Sequence, residues 1–326
     1  MGSRVTDLIG RTPLLELCVA EGSGRVLLKL EQFNPTGTAK IRMARNMVDE
    51  AERAGLLEPG GWLVESTSGN TGLGLALIAA ERGYKFTAVV DNHSSVDKLR
   101  GMRAYGADIL NVAGSDGGLA TAERDTTAER LAAEHGAYWT AQHRNPGNPG
   151  GYRPLARELH DDLGDGIDYL YGAVGTGGSL CGTGRVLRER IPGLKVVGVE
   201  PEGSVVFGGK GGPYHQSGTG TPEGSEIGCV VDYEVFDEGL KVSDAEAFET
   251  CRYLARNTGV LIGGSAGGVV YRALERAAEA GRGTTVVVLV CDGGDKYLDT
   301  VFNDDWMAAN GLFDEQVAHR LGAMLR

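Results

Sequence analysis

Short apolar runs alternate with amphipathic stretches along most of the chain. Residues 26–30, 62–65, 86–90, 108–112, 169–174, 196–200 and 285–290 read as strands. Between and after them, 41–54, 71–82, 96–105, 121–134, 153–163, 180–190, 245–257 and 269–280 carry apolar positions at helical spacing. Several strands are nearly continuous in apolar residues, as expected when helices cover both sheet faces. This alternation predicts an α/β protein with parallel sheets. Ligands of such folds sit at the carboxyl ends of strands, where glycine loops feed helix N-termini. Residues 144–151 (RNPGNPGG) read as a boundary or hinge. Residues 203–228 hold nine glycines and no strong period, the signature of a functional loop or a lid. No internal repeat is visible, and 304–326 reads as amphipathic helix packed on the body or on a second subunit.

Composition narrows the class. The 326 residues suffice for two domains. Hydrophobic content of 41% and charged content of 23% exclude disorder, collagen and coiled coil as global descriptions. No apolar run approaches the ~20 residues of a membrane span. Residues 1–10 are polar, so no signal peptide is expected and the cytoplasm is the expected location. A net charge of −12 argues against nucleic acid as a partner. It also requires a local basic pocket for any anionic substrate. Glycine is unusually abundant, at 52, which points to tight turns and close backbone approach to a ligand. The five cysteines, Cys18, Cys181, Cys229, Cys251 and Cys291, are odd in number and widely spaced. They read as reduced thiols, with no metal site expected.

Five motifs carry candidate chemistry. Asn34-Pro35-Thr36-Gly37-Thr38-Ala39-Lys40 turns into a helix with its lysine at the mouth. The plain reading is a solvated lysine; the chemical one is a Schiff-base lysine whose amine is activated by a lowered pKa. Ser66-Thr67-Ser68-Gly69-Asn70-Thr71-Gly72 follows a strand and opens a helix. One hydroxyl would suffice as an N-cap; seven small polar residues suggest a carboxylate or phosphate cradle. Gly175-Thr176-Gly177-Gly178-Ser179 is strand, glycine loop, helix. It fits a phosphorylated cofactor or, with Glu200 as the ribose acid, a nicotinamide cofactor, although Leu180 stands where the third fingerprint glycine belongs. Gly263-Gly264-Ser265-Ala266-Gly267-Gly268 opens a further helix, with Ser265 an N-cap or a ligand. Cys291-Asp292-Gly293-Gly294-Asp295-Lys296-Tyr297-Leu298 closes the last strand.

In this order the set resembles the cysteine synthase group of pyridoxal-phosphate enzymes, fold type II, from Leu8-Ile9-Gly10-Arg11-Thr12-Pro13-Leu14 to Lys296-Tyr297-Leu298. Within that group, Glu65–Asn70, Val89-Val90-Asp91, residues 200–208 and residues 297–306 look more like one subgroup. Its members join a serine-derived fragment to glutamate on the way to 2,3-diaminopropionate, in siderophore and peptide-antibiotic pathways. Ile41 departs from the pattern, since many relatives carry Asp after the lysine.

The resemblance implies two domains, each a mainly parallel twisted sheet flanked by helices. A small mobile domain, 36–149, would bind the substrate carboxylate, and 1–35 with 150–326 would hold pyridoxal 5'-phosphate. Lys40 would hold the cofactor aldehyde and shuttle the Cα proton. Asn70 would meet the ring's phenolic oxygen, Gly175, Thr176, Gly177, Gly178 and Ser179 the phosphate, and Ser265 the pyridine nitrogen. Thr67, Ser68, Gly69, Thr71 and Gln142 would take the substrate carboxylate. The implied reaction is a β-replacement that adds glutamate to the aminoacrylate from O-phospho-L-serine, giving N-(2-amino-2-carboxyethyl)-L-glutamate. The alternatives are a cysteine synthase using sulfide and, from another class, an NAD-dependent oxidoreductase. Tyr152 is the expected catalytic phenol at the entrance, with Arg153, His143, Arg144, Arg100 and Arg103 as further entrance groups. Amino acids are the expected small-molecule substrates, with no membrane partner and a homodimer as the assembly.

Overall fold

The computed structural model describes residues 3–67, 69–92, 94–112 and 121–326. Ten strands form two sheets: β1 Leu14–Glu16, β2 Arg25–Leu30, β3 Trp62–Ser66, β4 Lys85–Val90, β5 Asp108–Asn111, β6 Tyr138–Trp139, β7 Tyr169–Ala173, β8 Lys195–Pro201, β9 Glu238–Val242 and β10 Thr285–Val290. The larger sheet runs β1-β2-β10-β7-β8-β9 and the smaller β5-β4-β3-β6. All pairings are parallel except β1 against β2. The fold is therefore α/β with two sheets, each flanked by helices, as the alternation of elements predicts.

Burial follows the sequence pattern. Every residue of β10, TVVVLV, is buried, because helices cover both faces of this central strand. One apolar cluster joins β2, β7 and β10 to the helices Asp244–Thr258 and Gly264–Ala280. A second lies on the opposite face, under the helices Arg153–Leu163 and Gly178–Arg188. A third belongs to the smaller sheet, with Ile41, Val48, Leu75, Ile78 and Phe86 at its centre. Among the described residues, no helix is long and apolar enough to cross a membrane.

Three strands escape the sequence pattern. β1 and β6 are three and two residues long, too short to show a period. β9, EGLKV, lies at the sheet edge and alternates poorly. The segment 144–151 is a turn plus the short helix Gly147–Gly150, tied on both sides: Asn46 Nδ2 donates to the Gly147 carbonyl at 2.7 Å, and Asn148 Nδ2 to the Gln142 carbonyl at 2.8 Å.

Candidate active site

The carboxyl ends of β3, β7 and β10 converge on one cleft. Lys40 begins the helix Lys40–Arg53, and the turn before it is bolted to the end of β10: Ala39 N donates to the Cys291 carbonyl at 2.8 Å, and Thr38 bridges Asp292. Burial lowers the lysine's pKa, against the pull of Cys291 and Asp292. A desolvated amine is more often neutral, and a neutral amine is the nucleophile and base.

On the small-sheet side, Thr67 Oγ1 accepts from Gly69 N at 3.0 Å and Gly72 N at 3.2 Å. Its hydroxyl thus fixes the turn that starts the helix Asn70–Arg82, so capping explains this residue. Thr71 Oγ1 donates to Gln142 Oε1 at 2.7 Å, and Gln142 Nε2 donates to the Ser66 carbonyl at 3.0 Å. These bonds bring Thr67, Gly69, Thr71 and Gln142 into one group. Ser68 lies outside the described residues. Behind them, Glu65 is fully buried on β3, with Thr140 Oγ1 donating to Oε2 and Gln142 N to Oε1 at 3.4 Å. Burial pushes its carboxyl up to about 8.

The glycine loop 175–179 enters the helix Gly178–Arg188. A Cβ on Gly178 would lie 1.9 Å from Asn148 Oδ1, so nothing larger than glycine fits beside that amide. Asn148 Nδ2 also bonds Thr176 Oγ1 at 3.1 Å, which in turn accepts from Gly178 N at 3.3 Å. Asn148 Oδ1 is buried and has no partner among the described residues. The return of the long loop closes the other side: Gly220 N donates to the Val174 carbonyl at 2.8 Å. Backbone N–H groups at a helix N-terminus, walled by close-packed backbone, are a cradle for a phosphate.

Asn70 and Ser265 face the same end of β10. Asn70 Nδ2 donates to Asp292 Oδ2 at 2.7 Å, and Tyr297 Oη donates to the same oxygen at 2.7 Å. Asn70 Oδ1 and Asp292 Oδ1 are buried without partners among the described residues. Ser265 is the second residue of its helix and is buried; a Cβ on Gly263, the residue before that helix, would meet Asp292 Oδ1 at 2.0 Å. The asparagine keeps a second N–H and its carbonyl free, which fits a ring oxygen arriving from the cleft. Orphaned buried polar atoms of this kind need an explanation. A ring-and-phosphate ligand linked to Lys40 provides one, so the residues present fit pyridoxal phosphate.

Several expected entrance residues are elsewhere. Tyr152 is fully buried in the second apolar cluster, against the expectation of an entrance phenol. Tyr152, Leu155, Ala156 and Leu159 form the inward stripe of one helix face, and that spacing is visible in the sequence. Its hydroxyl is nonetheless unpartnered among the described residues. Arg153, next to it, points the other way and is exposed, apart from the cleft. Arg100 pairs with Asp97 and Arg144 with Glu226, while Arg103 is exposed. His143 is close enough to Lys40 to feel its charge; burial lowers its pKa to about 4, leaving it neutral. Asn148, Asp292, Tyr297 and Lys98 complete the cleft without any local sequence signal for such a role. These groups meet only through contacts distant in sequence, so no local pattern marks them.

Glu200 decides the nicotinamide alternative. It is fully buried and takes hydrogen bonds from Ser204 Oγ, from Val206 N and Phe207 N at 2.9 Å each, and from Lys241 Nζ. Its lone pairs are committed to pinning the loop after β8, and none remains for a ribose.

A cleft between two α/β bodies, with a desolvated lysine at one helix mouth and a glycine phosphate cradle opposite, defines an enzyme that works through a carbonyl cofactor. The chain belongs to the pyridoxal-phosphate dependent enzyme family, which it matches over residues 5–292. It is 49% identical over 324 residues to a putative cysteine synthase of Sinorhizobium fredii, covering 98% of this chain and 96% of that protein. It is 37% identical over 301 residues to a cysteine synthase of Staphylococcus aureus, covering 91% and 95%. The crystal structure of an O-ureido-L-serine synthase superimposes with a TM-score of 0.87 at 34% identity, covering 95% and 99%. The protein is a pyridoxal-phosphate dependent synthase of the cysteine synthase family and catalyses β-replacement. This replaces the oxidoreductase alternative.

Proposed function

We propose that the enzyme transfers the three-carbon fragment of an O-substituted L-serine to sulfide, forming L-cysteine. The near full-length similarity to a relative named as a putative cysteine synthase carries this reading. When bound, pyridoxal phosphate withdraws electrons from Cα and so acidifies its proton. Thr71, Gln142 and the N–H groups of the 67–71 turn hold the α-carboxylate at a helix N-terminus. Lys40 Nζ removes the Cα proton, for which its lowered pKa suits it. The Cβ–O bond breaks with departure of the oxygen substituent, sulfide forms the Cβ–S bond, and Lys40 returns the proton to Cα. Ser265 offers a hydroxyl, not a carboxylate, to the ring nitrogen, which favours elimination over long-lived carbanion chemistry.

One experiment tests the nucleophile. O-acetylserine and O-phosphoserine are each offered with sulfide or glutamate, and products are identified by mass spectrometry alongside kcat/KM. Cysteine should dominate. A tenfold higher kcat/KM for glutamate would replace this reading with a second one, the coupling of O-phosphoserine to glutamate for 2,3-diaminopropionate synthesis. The buried amine of Lys98 favours that second reading. The motif stretches that suggested it speak less directly, because Glu200 holds a loop and Asp304 pairs with Arg252.

The division into a mobile domain 36–149 and a larger domain belongs to the same reading. The strands of the smaller sheet fall within 62–139 and those of the larger sheet outside it, which supports it. Small-angle scattering should show compaction when substrate is added; an unchanged profile removes the closure. A cytoplasmic homodimer completes the proposal. It is supported by five free thiols and by an apolar patch at Phe33, Leu261 and Leu298, and gel filtration coupled to light scattering tests the assembly.

A further inference from the structure

Lys98, on the helix Val96–Ala104, is only 2% exposed and lies where the two bodies meet. Its stem crosses Gly69: a Cβ there would sit 2.3 Å from Lys98 Cδ and 2.8 Å from Lys98 Cβ. The backbone of Gly69 is also at φ +140°, so this glycine is required both by its own conformation and by the lysine. Across the cleft, Lys98 Nζ donates to Tyr297 Oη at 3.4 Å and lies 4.8 Å from the centre of that ring. Tyr297 in turn donates to Asp292, which also holds Asn70. The ammonium therefore ends a chain of contacts that runs through the cofactor-facing residues.

Its partners do not use it up. An ammonium has three N–H donors, and among the described residues one is engaged, by a neutral phenol. No carboxylate of the described residues lies within ion-pair distance; Asp292 acts on it only from behind the tyrosine. Burying an unpaired charge is costly, and burial lowers the pKa of Lys98, with Asp292 and Asp295 opposing and Lys296 adding to the effect. An arriving anion would satisfy the two open donors and restore the charge. The proposed α-carboxylate site already has Thr71 and Gln142. The Lys98 stem packs on Gly69 and carries Nζ to Tyr297 instead.

We propose that Lys98 is a specificity-determining residue that binds a second oxyanion of the substrates, one beyond the α-carboxylate. The inference rests on the β-replacement reading but not on the choice of sulfide. Two sources share this chemistry: the phosphate of an O-phosphorylated serine and a carboxylate of an amino-acid nucleophile. Either would be held by charge-assisted hydrogen bonds from Nζ, with Tyr297 fixing the direction of the ammonium.

The holoenzyme and its Lys98→Met and Lys98→Arg variants are compared on three pairs: O-acetylserine with sulfide, O-phosphoserine with sulfide, and O-acetylserine with glutamate. The methionine keeps the length of the stem and removes the charge. Its loss of kcat/KM on one oxyanion-bearing pair should exceed its loss on O-acetylserine with sulfide by tenfold or more, mostly through KM. The pair that shows it identifies the source, and arginine should recover at least part of the difference. Calorimetric titration of the holoenzyme with inorganic phosphate and with L-glutamate gives a readout without turnover. One of the two should bind the parent at least tenfold more tightly than Lys98→Met. Equal losses on all three pairs, with unchanged anion affinities, would make Lys98 a structural latch and overturn the proposal. If the parent turns over none of the pairs, the reaction assignment fails, while the titrations still decide the role of Lys98.

Discussion

Replacing Glu65 with glutamine should remove the stability loss that this one carboxyl causes between about pH 4.5 and pH 8. A carboxyl that ordinarily titrates at 4.5 is pushed up to about 8 here, principally by burial on β3. The folded state then holds a proton that the unfolded chain releases above 4.5. Where the native state binds more protons, stability falls as pH rises. The loss accumulates from about 4.5 and levels off above about 8, where the folded form ionises too. At ~1.4 kcal/mol per pH unit, it totals ~4–5 kcal/mol, of which ~3 kcal/mol is already lost at pH 7. Glutamine mimics the neutral acid: its amide N–H can bond Thr140 Oγ1 while its oxygen keeps the Gln142 N–H. The two proteins should therefore be equally stable near pH 5, and the variant more stable by a few kcal/mol at pH 8. Urea unfolding at a series of pH values, with cofactor concentration fixed because ligand binding shifts apparent stability, measures this directly. Parallel curves for parent and variant from pH 5 to 8 would refute the argument, since they would mean that Glu65 is ionised throughout.

Three further outcomes follow from the cleft. Lys40→Ala should lose both the visible absorbance of the bound cofactor and β-replacement, while circular dichroism stays unchanged; retained absorbance would assign the aldehyde to another amine. Gly178→Ala forces a methyl into Asn148 Oδ1 and should weaken pyridoxal-phosphate binding at least tenfold, ~1.4 kcal/mol or more, as read by equilibrium dialysis. Tyr152→Phe removes a buried hydroxyl without a partner among the described residues. It should raise stability by ~1 kcal/mol and leave kcat/KM and cofactor absorbance unchanged; a several-fold loss of kcat/KM would return the phenol to the cleft.

The local chemistry of the site was legible because each motif is a contiguous loop between a strand and a helix. The resemblance of these loops to one family supplied the roles expected of Lys40, Asn70, the 175–179 loop and Ser265. The supporting groups carried no such mark: Lys98 meets Tyr297, Glu65 meets Thr140, and Asn148 meets Gly178 only after the two sheets have formed. Tyr152 shows a different kind of miss. Its position beside a Gly-rich turn suggested an entrance, but its spacing to Leu155, Ala156 and Leu159 marks the buried face of a helix, and the apolar period outweighed the proximity. The segment 203–228 carried no period because its conformation comes from the buried carboxylate of Glu200 and the amine of Lys241, not from a repeating pattern of its own.

The pairing of β2 with β10 has a consequence for biosynthesis. Arg25 lies in register with Thr285, and Leu30 with Val290. A ribosome releases the N-terminal strand long before its central partner exists, whereas β3 to β6 and their helices emerge together. Domains generally fold as units during synthesis, earlier ones first. The smaller sheet can therefore assemble on the nascent chain while the larger one waits for β10. The turn before Lys40 is fastened to the end of β10, so the reactive amine reaches its working position only after β10 has been made and paired. A truncated chain lacking β10 would thus carry the lysine without the support that gives it its chemistry.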